Sequence, residues 1–111
     1  MASRREEHQE DAKFRVLSII RSDPHMTSRQ LAKKVGISNG SAYYLLTSLI
    51  DKGFVKLVYF RKTSQKTKYS YFLTSKGIRE KSLITRKFLT RKKMEYELLK
   101  KEIAELEREI S

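Results

Sequence analysis

The chain has 111 residues, 39% of them hydrophobic and 34% charged, and carries a formal net charge of +12. That length implies one domain with a modest core and no room for a separate ligand-binding domain. No apolar run approaches the roughly 20 residues of a membrane span, the charged amino terminus lacks a signal-peptide core, and the absence of cysteine excludes thiol redox sensing and cysteine-ligated metal; a cytoplasmic protein is expected.

Residues 1–11 are densely charged without an apolar period and read as a flexible start. From Ala12 the pattern changes. Phe14, Leu17 and Ile20, flanked by Val16 and Ile19, predict an amphipathic helix ending near Ser22. Asp23-Pro24 stops it, because the residue before proline is pushed out of the helical region. This helix is expected to pack across the elements that follow; a contact with a second copy through Val16 and Ile19 is the alternative. His25, beside Pro24, reads as a turn residue rather than a ligand. His8 lies in an unrelated context, so no metal site and no cofactor are expected.

Two short helices follow, joined by a tight turn. Thr27 caps the first, Gln30 completes a capping box, Met26 is placed to staple onto Leu31, and Gly36 ends the helix. Ile37 turns the chain and Ser38 caps a second helix over residues 39–52. Ala42, Leu45, Leu46 and Leu49 make its apolar stripe. Asn39, Ser41, Tyr43, Tyr44, Thr47 and Ser48 lie on the opposite face. This is a helix-turn-helix pattern, and together with Ser38 and Gly40 those residues are the candidate contacts to a DNA groove. No basic residue stands between Ser38 and Asp51. The face therefore suits phosphate hydrogen bonds, thymine methyl contacts and an Asn39–adenine pair better than guanine readout.

After Gly53 the chain turns extended. Residues 54–60 (FVKLVYF) and 69–73 (YSYFL) are rich in β-branched and aromatic types. The polar segment between them contains Arg61, Lys62, Lys66 and Lys68, and residues 54–77 hold six basic residues and no acidic one. Two strands joined by a basic loop are the wing of a winged helix, with those four cations placed for phosphates or the minor groove. No Asn-Gly or similar pair fixes the hairpin tip.

Thr74 caps a last helix running from Ser75 to about residue 109, roughly 50 Å at 1.5 Å per residue. Ile78, Ser82, Thr85, Leu89, Lys92, Tyr96, Leu99, Ile103, Leu106 and Ile110 follow alternating steps of four and three. Phe88 and Leu98 broaden that stripe. From Tyr96 onward the seam is strongly apolar, and a second copy of the helix is the simplest cover. The expected dimer contacts are Leu89, Tyr96, Leu99, Ile103, Leu106 and Ile110; folding back onto the same domain is the alternative. A parallel pair sets Glu95 against Lys100 but also Glu102 against Glu107. An antiparallel pair lays the acidic end, residues 102–109, along the basic residues 86–93, and is favoured.

These segments resemble the MarR family. The helix-turn-helix followed by LIDKGFVK (residues 49–56), KYSYFLTSKGIREK (68–81) and FLTRKKMEYELLKKEIAELEREI (88–110) is similar to the small MarR-type regulators associated with exopolysaccharide gene clusters. The resemblance spans nearly the whole chain from Phe14. It implies a mainly α fold with a small β-wing: a winged helix-turn-helix over residues 12–77 and a dimerisation helix over 75–111 forming a coiled coil. It also implies a transcriptional regulator that binds double-stranded DNA as a homodimer on a pseudo-palindromic operator. The competing reading is a winged-helix module that binds another protein. An enzyme is not expected, because the sequence offers no phosphate-binding glycine loop, no plausible Ser/His/Asp set and no paired carboxylates in an apolar setting.

Overall fold

The computed structural model describes the backbone of residues 4–61 and 67–111 and the side chains of residues 8–59 and 69–111. Four helices and one hairpin follow in the order α1 (Arg4–Ser22), α2 (Ser28–Val35), α3 (Asn39–Asp51), β1 (Val55–Arg61), β2 (Thr67–Leu73) and α4 (Ser75–Ile110). This is the expected class, mainly helical with a two-stranded wing and a long last helix. One boundary differs. Helix α1 begins at Arg4, ahead of the start expected at Ala12, so the backbone of residues 4–11 is helical. Arg, Glu and Gln have good helix propensity, and α4 supplies an anchor where an apolar face is missing: Asp11 pairs with Arg91.

Local signals set the ends of the short helices. The Thr27 hydroxyl accepts from Gln30 N at 3.1 Å while Gln30 Oε1 accepts from Thr27 N at 3.0 Å, a closed capping box. Gly36 takes φ 81°, a left-handed cap that a residue with a Cβ adopts only under strain. Ser38 accepts from Ser41 N at 3.0 Å and opens α3. Gly53, at φ 80°, turns the chain from α3 into the wing.

The core lies where the three short elements meet the start of α4. Val16, Leu17 and Ile20 of α1, Leu31 and Val35 of α2, and Leu46 and Leu49 of α3 join Phe54, Val55 and Ile84 in one buried cluster. The antiparallel register runs from Val55 opposite Leu73 to Arg61 opposite Thr67. The turn after α1 also lines this sheet: Tyr71 N donates to Pro24 O at 2.9 Å, and the His25 ring meets the fully buried Ser70 hydroxyl at 2.7 Å. His25 thus helps hold the turn to the wing.

Helix α4 is fastened at its start. A Cβ on Gly77 would fall 1.9 Å from Phe54 O, so only glycine lets α4 cross that strand end so closely. Two ammonium groups approach the Phe54 ring, Lys13 Nζ at 4.9 Å and Lys76 Nζ at 5.0 Å from its centroid. Lys13 also pairs with Glu80 at 3.2 Å. Farther along, Phe88 stacks on Phe14 with centroids 4.9 Å apart. The docked face of α4 is therefore Gly77, Ile84, Phe88 and Arg91, and Phe88 belongs to it rather than to the exposed stripe. At 3.6 residues per turn this face is rotated by roughly 70° from the seam through Tyr96, Leu99, Ile103, Leu106 and Ile110. Beyond Arg91 every residue is exposed. The molecule measures 69 × 26 × 22 Å because this part of α4 projects from the domain instead of folding back.

Candidate nucleic-acid interface

Helix α3 buries Ala42, Leu46 and Leu49, which fixes where its other side chains point. Gly40, Tyr44 and Thr47 lie opposite the buried face at helical spacing. Tyr43 stands on the edge toward the wing, while Ser41 and Ser48 stand on the edge toward the start of α1. Tyr43 is 68% exposed and Tyr44 78%, so neither aromatic is used for packing. The Thr47 hydroxyl donates to Tyr43 O at 2.9 Å and the Ser38 hydroxyl to Ser41 Oγ at 2.8 Å. Both hydroxyl oxygens are thus oriented, and Asn39 stays exposed in the first turn.

Gly40 is informative because the fold does not require it. A Cβ there would meet nothing within 4 Å, and its φ is not in the left-handed region. Glycine forms helix less readily than alanine, and the space around this second residue of α3 would admit a Cβ. What glycine provides is a bare patch of backbone at the exposed start of α3.

Sheet register supplies residues that the sequence pattern did not single out. Val55, Leu57 and Tyr59 pair with Leu73, Tyr71 and Tyr69, and alternation places all six on one face of the wing. The Tyr59 and Tyr69 rings meet edge to face at 5.1 Å. Tyr71 beneath them is half-buried, and its phenol is pushed above its ordinary pKa, first by burial and then by the neighbouring phenols of Tyr69, Tyr43 and Tyr59. Four tyrosines from three elements therefore converge in the angle between α3 and the wing. The signal was present as YSY in β2 and Tyr59 in β1, but only the pairing shows that Tyr59, Tyr69 and Tyr71 share a face.

On the other edge of α3, His8, Gln9 and Ala12 of α1 and Ile37, Gly40, Ser41, Tyr44, Leu45, Ser48 and Lys52 line an open groove of about 730 Å³. The predicted site residues Ser38, Asn39, Gly40, Ser41, Tyr43, Tyr44, Thr47 and Ser48 thus occupy one continuous helix surface. Of the wing cations, Arg61 and Lys68 lie at the last and second positions of their strands; their side chains, and Lys62 and Lys66 entirely, lie outside the described residues. The expected dimer residues are all exposed on α4: Leu89, Tyr96, Leu99, Ile103, Leu106 and Ile110. No helix among the described residues is long and apolar enough to cross a membrane.

Residues 9–56 match a family model described as winged helix-turn-helix DNA-binding. No curated protein matches the chain. Among solved structures, a PadR-like transcriptional regulator from Bacillus cereus is 18% identical with a TM-score of 0.68, over 78% of this chain and 89% of that one. FabT from Streptococcus pneumoniae, in complex with DNA, is 23% identical with a TM-score of 0.54, over 75% of this chain and 58% of FabT. A MarR family protein from Mycobacterium tuberculosis, in complex with p-aminosalicylic acid, is 19% identical with a TM-score of 0.54, over 72% and 61%. At these identities the likeness is one of fold. The chain carries a winged helix-turn-helix domain whose structural neighbours are transcriptional regulators of the PadR and MarR families.

Proposed function

We propose that this chain is a transcriptional regulator that binds double-stranded DNA as a homodimer in the cytoplasm. In this reading α3 lies in the major groove, and the basic wing, through Arg61, Lys62, Lys66 and Lys68, lies on phosphates or in the minor groove. The observation that carries it is the presentation of α3. Its start is capped and exposed, one outward turn is a glycine the fold does not need, and no carboxylate interrupts residues 54–77 beside it. A bare helix start next to an acid-free surface suits a polyanion. Within the winged-helix regulators, the tail motif supports placement among the small MarR-type proteins associated with exopolysaccharide gene clusters.

The seam on distal α4 supplies the second copy. An antiparallel pair centred between Glu97 and Leu98 sets Leu99 against the partner's Tyr96 and Leu106 against the partner's Leu89. The same register brings Glu102 to the partner's Lys93 and Glu109 to the partner's Arg86, while Ile103 falls against the partner's Lys92 and Ile110 against the partner's Thr85. Two-fold symmetry then implies a pseudo-palindromic operator with half-sites about 34 Å apart.

Selection of bound duplex from a random pool at recorded salt tests the reading. Enrichment of an inverted repeat is the expected result. Failure to bind any duplex at low salt overturns it in favour of a protein-binding module, a reading favoured by the two exposed tyrosines and the lack of any cation on α3.

A further inference from the structure

The tyrosines between α3 and the wing are not explained by packing. The core-facing part of the sheet, Val55, Leu73 and the half-buried Tyr71, needs apolar area, and Tyr71 supplies part of it. The same face then continues past the core edge into Tyr59 and Tyr69, which are 64% and 48% exposed and pair directly across the strands. Tyr43 of α3 is close enough to Tyr71 on that face to help raise its phenol. Among the described residues the hydroxyls of Tyr43, Tyr59 and Tyr69 make no hydrogen bond to the protein, although each is a donor at the rim of a concave angle. No acid lies nearby in sequence: residues 54–77 contain none, and the only one in α3 is Asp51 at its far end.

Resting on the DNA-binding reading, we propose that Tyr43, Tyr59 and Tyr69 form an uncharged clamp for the DNA sugar-phosphate backbone. The clamp would act where a strand passes from the groove read by α3 to the wing. Three features select this occupant. The site adjoins the exposed start of α3, so a duplex seated on that helix brings a backbone strand into the angle. Phenol hydroxyls donate to phosphodiester oxygens as readily as serine or asparagine groups do. The edge-to-face Tyr59–Tyr69 pair, 5.1 Å between centroids, leaves aromatic surface for deoxyribose. Tyr43, a candidate groove contact from the sequence, stands on the backbone side of the helix in this arrangement.

The clamp has a thermodynamic signature that separates it from the lysines. A lysine on a phosphate releases a condensed counterion, so its contribution fades with salt; a phenol displaces no ion, so its contribution persists. Tyr43→Phe, and Tyr59→Phe with Tyr69→Phe, remove hydroxyls while keeping the rings and the stack, and melting temperature verifies the fold. Fluorescence anisotropy then measures affinity across a KCl series for two labelled duplexes, one recovered by selection and one of random sequence.

The expected result is a loss of about tenfold per hydroxyl contact, equal on both duplexes, with the log-log salt slope unchanged. In the same assay Lys62→Gln with Lys66→Gln reduces the slope by about 0.9 for each phosphate contact. Unchanged affinity in the Phe variants overturns the clamp. A loss confined to the selected duplex also overturns it, placing the hydroxyls on base edges. A wild-type chain that binds neither duplex overturns the DNA-binding reading itself and removes the clamp's occupant with it.

Discussion

Helix α3 and the distal half of α4 both expose large side chains, but they do so on opposite terms. Behind Tyr43 and Tyr44 lie Ala42, Leu46 and Leu49, fully packed, and a capped N-terminus. The exposed face of α3 is therefore held in place before any partner arrives, which limits the ordering cost of binding. Behind Leu99, Ile103 and Leu106 there is nothing: every residue after Arg91 is exposed on all sides. That helix has an apolar seam and, among the described residues, no cover, as half of the proposed dimer contact would. The same exposure thus accompanies a firmly backed face in one place and an uncovered seam in the other. The backing residues distinguish the two.

The largest effect expected from breaking this contrast is on assembly. Leu99→Lys with Leu106→Lys should leave a folded monomer that has lost about 10²–10⁴-fold in operator affinity, because two linked half-sites bind far better than one. Sedimentation checks it; a double variant that stays dimeric would place the contact elsewhere, with α1 the next candidate. Gly77→Ala acts on the anchored half instead. Its Cβ has no space against Phe54 O, so stability should fall by about 3 kcal/mol in chemical denaturation, loosening the root of α4 without touching its seam.

Smaller effects sharpen the account of α3. Asn39→Ala should cost about 1–3 kcal/mol on the preferred duplex if Asn39 pairs with a base edge, and leave sedimentation unchanged; equal loss on random DNA would move Asn39 to phosphate. Gly40→Ala should separate stability from function. It should stabilise the fold by roughly 0.5–1 kcal/mol while weakening duplex binding, and unchanged binding would mean that the bare backbone is not used.

The smallest effect concerns Tyr71, whose phenol is raised above its ordinary value by burial and then by Tyr69, Tyr43 and Tyr59. A raised folded pKa gives stability that is complete below the unfolded value near 10 and is lost as pH climbs through the folded one. Alkaline unfolding curves should show this decline, and Tyr71→Phe should flatten it.

The sequence by itself determined the elements and their punctuation. Thr27 with Gln30, Gly36, Ser38, Gly53 and Thr74 act over three or four residues, so their caps and turns are readable without knowing what lies across the fold. The apolar stripes of α1, α2 and α3 were readable for the same reason, as was the wing from its β-branched and aromatic runs. Three features were settled only by the tertiary structure. Residues 4–11 continue α1, whose Asp11 meets Arg91, eighty positions away. Ile84 and Phe88, rather than the seam, face the domain, because Gly77 lets α4 cross Phe54 at one particular rotation. Tyr59 shares a face with Tyr69 and Tyr71 because strand register decides which side chains lie together, and without a turn signature the chain leaves that register open until Val55 is set against Leu73.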